Sequence, residues 1–424
     1  MTSGNYAGVE IPSIVLDLGS DTTRIGHAGE DCPRSMFPTN LGKRIGDFIP
    51  GTDGGFSSSN NKHNYIGGIG NTVNHISGVE MVNPFSEGEI VDYDAFESVC
   101  SYAFNHSLRL GSNEQPLLFT EYSWASLNQR EKVTELMFET FDIPALYLAR
   151  NAVLSAFASG RTTALVLDSG ACMTSAVPVY DGYVLKKGIF KQPLGGNDIN
   201  EYIIEDLKKL YNYEVTPSYL IKNRQILEAE ALPQLELKQF ENTTESFNKF
   251  MKLNAVNEFK ESTCQIFESF YNQNAIDTRP GKPYEFSDGY NRIFGSERFR
   301  YGEIMFQPNL LTNHKKDMNS ISKLIVDSIN LMDVDLKPHL CHNIILSGGN
   351  TLINGFNDRL GYELNSQLYG QRIKLIHGPN NFERKYTNWL GGSILSSLAT
   401  FNQLWLSKSE YQESGTSIIE KKFA

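Results

Sequence analysis

The chain has 424 residues, of which 21% are charged, 40% belong to the hydrophobic set and 11% are aromatic. This composition is typical of a folded protein with several structural units, and it excludes a collagen-like or wholly disordered chain. The net charge of -11 argues against direct binding of nucleic acid, because an acidic surface repels a polyanion. An acidic chain favours basic partners instead.

The cysteines and the apolar segments indicate a reducing, aqueous location. The five cysteines lie far apart and form no C-x-x-C pair, which predicts neither a disulfide framework nor a structural zinc site. Residues 1–10 lack a basic start followed by an apolar run, so we expect no secretion signal. The longest apolar stretches are far below the ~20 residues that span a bilayer, so we expect an intracellular protein without a membrane partner.

The chain begins with a predicted strand and then changes in composition. Ile14-Val15-Leu16 is a short apolar run that ends in Asp17-Leu18-Gly19-Ser20, which predicts a buried strand and a sharp turn. Between Gly46 and Asn71 there are seven glycines and few apolar residues. We expect this stretch to be a mobile surface excursion, because it buries too little to offset its ordering entropy.

The rest of the chain alternates predicted helices and strands. Apolar residues at helical spacing predict helices and short apolar runs predict strands. In chain order these are helix Asn128–Phe141, strand Thr163–Asp168, a helical subdomain over about 200–270, helix Asn319–Met332 and strand Asn343–Leu346. After Trp389 a long apolar stripe contains Ile394, Leu395, Leu398, Phe401 and Trp405. The alternation indicates an α/β architecture.

An internal repeat is the most informative feature. Residues Val15–Thr23 and Val166–Thr174 are identical at five of nine positions, at a constant offset of 151 residues. Each copy is an apolar strand, an aspartate, a glycine turn and a threonine. A single strand-Asp-x-Gly turn is common by chance, but two copies a domain apart favour a duplicated α/β unit.

The repeated turns have the chemistry of a phosphate site. A glycine turn exposes successive backbone N–H groups that can bind phosphate oxygens. An aspartate at the strand end is placed to hold the waters of a magnesium ion. Two facing turns would clamp a nucleoside triphosphate, and Ser347-Gly348-Gly349-Asn350 offers a third close approach of backbone to ligand.

These turns, together with other motifs, resemble the actin superfamily. The stretches similar to actin are Phe138-Glu-Thr-Phe-Asp-Ile-Pro-Ala145, Ala158-Ser-Gly-Arg-Thr-Thr163, Phe294-Gly-Ser-Glu-Arg-Phe299 and Arg384-Lys-Tyr-Thr-Asn-Trp-Leu-Gly-Gly-Ser-Ile-Leu395. More narrowly, three motifs resemble the fourth, nuclear class of actin-related proteins: Tyr284-Glu-Phe-Ser-Asp-Gly-Tyr-Asn291, Ser347-Gly-Gly-Asn-Thr-Leu-Ile353 and Leu167-Asp-Ser-Gly-Ala171. The resemblance fails mainly over 46–82 and 200–254.

The resemblance implies an α/β, actin-like duplicated ATPase fold, with two large domains of two subdomains each around a nucleotide cleft. The implied subdomains are residues 1–38, 84–158 and 387–424 for the first, 39–83 for the second, 159–194 and 317–386 for the third, and 195–316 for the fourth.

The resemblance also implies the ligands and their contacts. The ligands would be ATP and Mg, with Asp17 and Asp168 organising the magnesium waters. Facing the phosphates would be the backbone N–H groups of Gly19, Ser20, Gly170 and Cys172, with Arg24 in place of actin's lysine. Beside the adenosine would lie Lys260, Glu261, Gly348, Gly349 and Lys385.

Departures from the actin pattern bear on catalysis. Actin's water-positioning glutamine falls on Asn151, one methylene shorter, and its partner histidine on Ser175. Ala171 replaces an aspartate of the second turn, and Asp21 replaces a glycine of the first. Because hydrolysis needs an oriented water, we expect ATP binding with little or no hydrolysis, and we assign no catalytic residue.

The class resemblance implies a scaffold function in the nucleus. The chain would be a non-filamentous subunit of chromatin-remodelling and histone acetyltransferase complexes, pairing with actin on an amphipathic helix of a larger subunit. Phe157, Leu395 and Leu398 would line the groove for a partner helix, although they are equally compatible with a core stripe. Histones are a further candidate partner, and the alternatives are an active ATPase or kinase and a cytoskeletal filament protein.

Overall fold

The structure is a computed structural model and describes residues 12–45, 65–70, 75–225, 228–311, 314–378 and 380–423. Within these residues, no helix combines the length and the apolar character needed to cross a membrane.

Strands and helices alternate along the described chain. The strands are β1 Ile14–Leu18, β2 Thr22–His27, β3 Ser35–Pro38, β4 Leu41–Arg44, β5 Tyr65–Ile66, β6 Val79–Val82, β7 Phe85–Ser86, β8 Glu89–Ile90, β9 Leu117–Glu121, β10 Ala145–Arg150, β11 Ala164–Ser169, β12 Thr174–Tyr180, β13 Tyr183–Val184, β14 Phe190–Gln192, β15 Ile221–Arg224, β16 Leu235–Leu237, β17 Lys282–Glu285, β18 Asn291–Phe294, β19 Ile344–Ser347, β20 Leu375–Ile376 and β21 Leu406–Ser407. The α-helices are α1 Tyr93–Tyr102, α2 Leu127–Glu135, α3 Asn151–Ala158, α4 Gly196–Tyr211, α5 Glu245–Thr263, α6 Gln273–Ile276, α7 Glu297–Glu303, α8 Ile321–Asn330, α9 Lys337–Cys341, α10 Phe356–Gln367, α11 Asn381–Lys385, α12 Thr387–Ser396, α13 Lys408–Ser414 and α14 Ile419–Lys422.

Two large mixed sheets repeat one arrangement, which confirms the predicted duplication. In the first sheet the order is β21-β10-β9-β1-β2-β3, and in the second it is β13-β12-β11-β19-β20, with β14 beside β12. In each, the repeat forms an antiparallel hairpin, β1–β2 or β11–β12, whose first strand is parallel to a later strand, β9 or β19. The turns of the two hairpins therefore lie at the carboxyl ends of the parallel strands, where α/β folds bind ligands.

Helix α12 packs on the first sheet, helix α3 contacts the second, and the two helices lie against each other. The described contacts place α3 against α12, and Gly391 permits this approach because a Cβ there would lie 1.9 Å from the Leu154 carbonyl oxygen. Trp389 on α12 is fully buried and donates its indole N–H to the Val15 carbonyl at 3.0 Å. These contacts fix the end of the chain to the first strand of the repeat.

The regular elements predicted from apolar periodicity are confirmed. The predicted helix Asn319–Met332 is α8, whose N-cap Ser320 accepts from the Lys323 N–H at 3.2 Å. The predicted helix Asn128–Phe141 is α2, continued by a π-helix over Leu136–Thr140. The predicted strands are β1, β11 and β19, within one or two residues.

The expectation of a mobile excursion is wrong for the end of the stretch 46–71. Within 65–70, Tyr65 and Ile66 form β5 and Ile69 is buried. Ile66 and Ile69 are stabilised by packing against α5, whose Phe247 and Met251 belong to the same apolar cluster, whereas Tyr65 belongs to the core of the first sheet. The rest of that stretch, 46–64 and Asn71, lies outside the described residues.

Two further expectations need correction. Among the described residues of 200–270, the α-helices are α4 and α5, and a 3-10 helix Ser218–Leu220 and the hairpin β15–β16 lie between them. The apolar stripe after Trp389 spans two elements, since α12 ends at Ser396 and a 3-10 helix follows over Ala399–Gln403, and it is not wholly buried. Ile394 and Leu398 are 38% and 43% exposed, so these two side chains are not part of the core.

Candidate functional site

A cleft of about 680 Å³ lies between the two sheets, where the repeated turns face each other. The lining brings together the following predicted site residues: Asp17, Gly19, Ser20, Arg24, Asn151, Asp168, Gly170, Lys260, Glu261, Gly348, Gly349 and Lys385. Among the predicted site residues of the cleft, Cys172 and Ser175 are absent from this lining.

The first turn holds an aspartate whose charge is compensated. Asp17 is 5% exposed, and its Oδ2 accepts from Arg24 Nη1 at 3.0 Å. Its Oδ1 accepts from the Thr120 hydroxyl at 2.6 Å. Register places Asp17 opposite Arg24 in the hairpin, so adjacent strands supply the carboxylate and the cation. Both oxygens of Asp17 are therefore held in one orientation.

The second turn holds an aspartate without such a cation. Asp168 accepts from the Asn151 amide at 3.4 Å and from the side chains of Asn388 and Ser347. Burial and the nearby Asp17 carboxylate raise the pKa of Asp168 to about 6, with Arg24 opposing them. A magnesium ion beside the two carboxylates would supply the missing positive charge.

Two backbone groups predicted to face phosphates are engaged elsewhere. The Gly19 N–H donates to the Thr22 carbonyl at 3.1 Å, and the Gly170 N–H donates to the Met173 carbonyl at 2.9 Å. Each glycine N–H therefore closes its own hairpin turn, and the prediction that these two groups face phosphates is corrected. Cys172 lies behind the second turn, where its Sγ accepts from the Asn197 amide at 3.5 Å.

The third loop packs directly on the second turn. Gly348 has a φ of +89°, and a Cβ there would lie 2.2 Å from the Ser169 carbonyl oxygen. Asn350 donates to the Ser169 hydroxyl at 3.1 Å and to the Gly170 carbonyl at 2.7 Å. At Gly349 a Cβ would meet nothing within 4 Å, so this residue opens onto the cleft. Glycine is required at position 348 because of its positive φ and because a side chain would clash with the Ser169 carbonyl.

The other residues predicted to lie beside the adenosine, Lys260, Glu261 and Lys385, line the cleft from α5 and α11. Lys260 of α5 is 6% exposed and donates to the Gly196 carbonyl at 3.0 Å. Burial lowers the pKa of Lys260 to about 8. Glu261 and Lys385 form an ion pair at 2.9 Å, and both side chains are about half exposed. The pair joins α5 to α11 across the edge of the cleft.

The residues in the positions of actin's water-orienting groups have their hydrogen bonds committed to protein. The Asn151 Oδ1 accepts from the Ser123 N–H at 3.1 Å, the Ser123 hydroxyl at 2.8 Å and the Ala152 N–H at 2.9 Å. Its amide nitrogen faces Asp168. Ser175 lies opposite Asp168 in the hairpin and is 2% exposed. Its short side chain stays below the cleft surface.

The donors and acceptors of the cleft fit a magnesium nucleotide. Among the described residues, Arg24 Nε and Asn200 Oδ1 are buried in the cleft wall without a hydrogen-bond partner. Buried polar atoms are normally paired, so both atoms are available to a ligand. Asp21 lines the cleft as well, and its carboxylate accepts from the adjacent Thr22 hydroxyl at 2.9 Å.

Sequence reasoning missed several residues of the cleft. Thr120 donates a hydrogen bond to Asp17, Asn350 of the third loop donates to the second turn, and the Gly196 carbonyl accepts from Lys260. Tyr122, directly after β9, also lines the cleft. The Gly195-Gly196 pair at the start of a helix is a sequence signal of a close backbone contact, whereas a single tyrosine after a strand gives no signal of a binding site.

At one edge of the cleft, near the lining residues Met81 and Ser246, residues 75–81 meet residues 241–246. We call these contacts the mouth bridge. Its hydrogen bonds are Ser77 Oγ to Glu241 O at 2.9 Å, Gly78 N to Asn242 O at 2.9 Å, His75 Nε2 with Thr243 Oγ1 at 2.8 Å, Met81 N to Ser246 Oγ at 3.1 Å, and Thr244 Oγ1 to Val79 O. An apolar cluster that includes Phe247 and Met251 underlies the bridge.

The predicted partner groove is partly exposed. Phe157 and Leu395 are half-buried, and Leu398 and the neighbouring Ile394 are exposed. Leu395 packs against the cluster around Trp389, so it belongs partly to the core. The groove is thus a small apolar surface fixed on α3 and α12.

Comparison with known proteins identifies the family. The family described as Actin matches residues 8–424. The chain is 34% identical to "Actin-related protein 4" of Emericella nidulans, over 99% of this chain and 98% of that protein. It is 33% identical to the protein of the same name from Oryza sativa subsp. japonica and 32% identical to that from Arabidopsis thaliana, in each case over 98% of this chain and 99% of the relative. With the duplicated hairpins and the cleft between them, these matches show that the chain belongs to the actin family.

Proposed function

We propose that this protein is a non-filamentous scaffold subunit of nuclear chromatin-remodelling and histone acetyltransferase complexes, which holds ATP as a structural ligand. The observation that carries the proposal is the commitment of Asn151 to Ser123, Ala152 and Asp168. The cleft keeps the two aspartates that a magnesium nucleotide needs, but Asn151 and Ser175 are not poised to orient a water. The arrangement supports binding without hydrolysis.

Each wall of the cleft has a separate part in holding the nucleotide. Asp17 and Asp168 would hold the waters of the magnesium ion, and Arg24 would face the phosphates. Lys260 and the open Gly349 would flank the adenosine. When bound, magnesium supplies positive charge between the two carboxylates and the phosphates.

The bound nucleotide stabilises the closed form by linkage. A ligand present at 100 times its dissociation constant adds about 2.7 kcal/mol to the free energy of unfolding. The two turns belong to different sheets, so a ligand that contacts both opposes their separation. ATP then acts as a rigid part of the scaffold.

The apolar groove supports the proposed pairing with actin on a partner helix. Ile394 and Leu398 present exposed apolar side chains beside the half-buried Phe157 and Leu395. An amphipathic helix places apolar residues at i, i+3 and i+4, which suits such a short surface. The net charge of -11 favours a basic helix, and it favours histones over DNA as any further partner.

Single-turnover hydrolysis tests the nucleotide part of the proposal. The purified chain is loaded with radiolabelled ATP, freed of excess nucleotide and assayed for inorganic phosphate. We expect the bound ATP to persist over hours, with filament-forming actin under polymerising salt as the positive control for the assay. Phosphate release at an actin-like rate would contradict the proposal and favour an active ATPase.

A matched pair of surface variants tests the scaffold part. Leu398→Asp places a charge in the groove, whereas Val334→Asp places the same charge at another exposed apolar residue, 79% accessible. We expect co-purification with actin and a large nuclear subunit to be lost only in Leu398→Asp. Equal recovery of these partners by both variants would show that the groove is not the docking site.

A further inference from the structure

Tyr122 lies at the point of the cleft where the two turns and Asn151 converge. It directly follows β9, and its neighbours are tied to the site on both sides. Thr120 donates to Asp17, and the Ser123 N–H and hydroxyl donate to Asn151. The backbone of Tyr122 is thus fixed between the first-turn aspartate and the residue in the water-orienting position, and its side chain lines the cleft.

Aromatic neighbours hold the Tyr122 ring in place. The ring stacks on Trp124 with centroids 4.8 Å apart and packs edge-on against Phe85 at 6.4 Å. The ammonium of Lys191 lies 4.9 Å from the Trp124 ring, which adds a cation–π contact behind the stack. The ring is therefore a fixed part of the cleft wall rather than a side chain that turns out to solvent.

The phenol group lies between charged groups of both turns. Ser20 of the first turn and Gly170 of the second turn line the cleft together with Tyr122. Burial raises the pKa of Tyr122 above its ordinary value, and Asp168, Cys172 and Asp17 add to the rise. The phenol stays protonated at neutral pH, so its O–H remains available as a donor to an anionic ligand.

We propose that the Tyr122 phenol caps the terminal phosphate of the bound nucleotide and fills the space that an attacking water would need. This inference rests on the proposed binding of ATP in the cleft. Hydrolysis requires a water in line with the bond that breaks, on the far side of the terminal phosphorus. The Tyr122 ring lines the same cleft as Asp17, Asp168 and Asn151 and is held there by Trp124 and Phe85, so in this proposal it takes the place of the water that Asn151 is not free to orient.

Nucleotide affinity tests the phosphate contact without reference to turnover. Tyr122→Phe keeps the stacked ring and removes the donor, and Tyr411→Phe removes the hydroxyl of another buried, stacked tyrosine far from the cleft. Loss of a hydrogen bond to a charged group costs roughly 10- to 100-fold in affinity. We expect Tyr122→Phe to weaken ATP binding about tenfold while ADP binding and Tyr411→Phe stay near the parent value. An unchanged ratio of ATP to ADP affinity in Tyr122→Phe overturns the phosphate contact.

Gain of hydrolysis tests the exclusion of water. Asn151→Gln with Ser175→His restores the longer side chains of the actin pattern, and Tyr122→Ala is then added to this double variant. We expect the double variant to remain inert and the triple variant to hydrolyse bound ATP at least about tenfold faster, since a single misplaced group in an active site costs on the order of 100-fold. A triple variant no faster than the double, whether both are fast or both inert, overturns the exclusion. Hydrolysis by the parent chain would instead contradict the proposed function, so the two failures are distinguishable.

Discussion

The two turns of the repeat share a backbone and differ in electrostatics. In the first, Asp17 is neutralised by Arg24 and held by Thr120, so its carboxylate is satisfied before any ligand arrives. In the second, Asp168 has only neutral donors, and its pKa is raised to about 6. The duplication supplied two equivalent loops, but the residue opposite each aspartate differs: the cation Arg24 lies opposite Asp17, and the neutral Ser175 lies opposite Asp168. The first aspartate thus has a cation from the protein beside it, whereas a bound metal ion would supply the cation beside the second.

The largest expected effect comes from breaking the packing that holds the second turn. Gly348→Ala forces a Cβ into the Ser169 carbonyl at a φ of +89°, so we expect a loss of about 3 kcal/mol or more in the free energy of unfolding. Gly349→Ala is the matched control, because its Cβ meets nothing within 4 Å. Urea unfolding of both variants measures the difference, and equal stability of the two would refute the close contact.

Loosening the mouth bridge tests whether the two turns act as one clamp. Met251 in the bridge cluster and Met332 in the core of the second sheet are 7% and 8% exposed. Substituting either by Ala should cost about 2–5 kcal/mol of stability. Only Met251→Ala should also speed dissociation of a fluorescent ATP analogue several-fold. Similar dissociation rates in the two variants would show that the bridge does not retain the nucleotide.

Removing each carboxylate charge separates the turns directly. Asp17→Asn leaves Arg24 without its partner, so the nucleotide-free protein should lose about 1–3 kcal/mol. Asp168→Asn should instead stabilise the nucleotide-free protein at pH 8. Since the folded pKa of about 6 lies above the usual aspartate value, the stability that Asp168 contributes is present at low pH and is lost as the pH rises through about 6. Thermal unfolding of both variants at pH 4 and pH 8 measures these changes in stability. Destabilisation by Asp168→Asn at pH 8 would contradict the difference that we describe between the two turns.

The smallest expected effect is that of Asp168 protonation on ligand affinity. Magnesium and a proton compete for Asp168, so the affinity for magnesium ATP should fall up to tenfold per pH unit below about pH 6. The affinity should be nearly constant between pH 7 and 8. Asp168→Asn should bind more weakly throughout and lose this dependence. Calorimetric titration from pH 5 to 8 measures it, and an identical pH profile in the variant would exclude Asp168 as the titrating group.

Backbone features of the site could be predicted from the sequence, because strands and glycine turns leave local patterns. The repeat placed both hairpins and both aspartates, and Gly348-Gly349 marked the third loop. Side-chain partners could not be predicted in the same way. The engagement of the Gly19 N–H within its own turn, the hydrogen bonds of Asn151 and the position of Tyr122 all depend on contacts between distant segments. The burial of Ile66 and Ile69 was missed because they pack against Phe247 and Met251 of the distant helix α5.

The most direct test of the account is the identity of the nucleotide in the native assembly. The protein is isolated from its own cells in its complex and separated from co-purifying actin under native conditions. Its nucleotide is then extracted with acid and separated by chromatography, with purified actin processed in parallel as a reference. The committed Asn151 and the packed Tyr122 predict about one ATP per chain, unchanged after hours of incubation. Recovery of mainly ADP would contradict the claim that this cleft holds ATP without hydrolysing it.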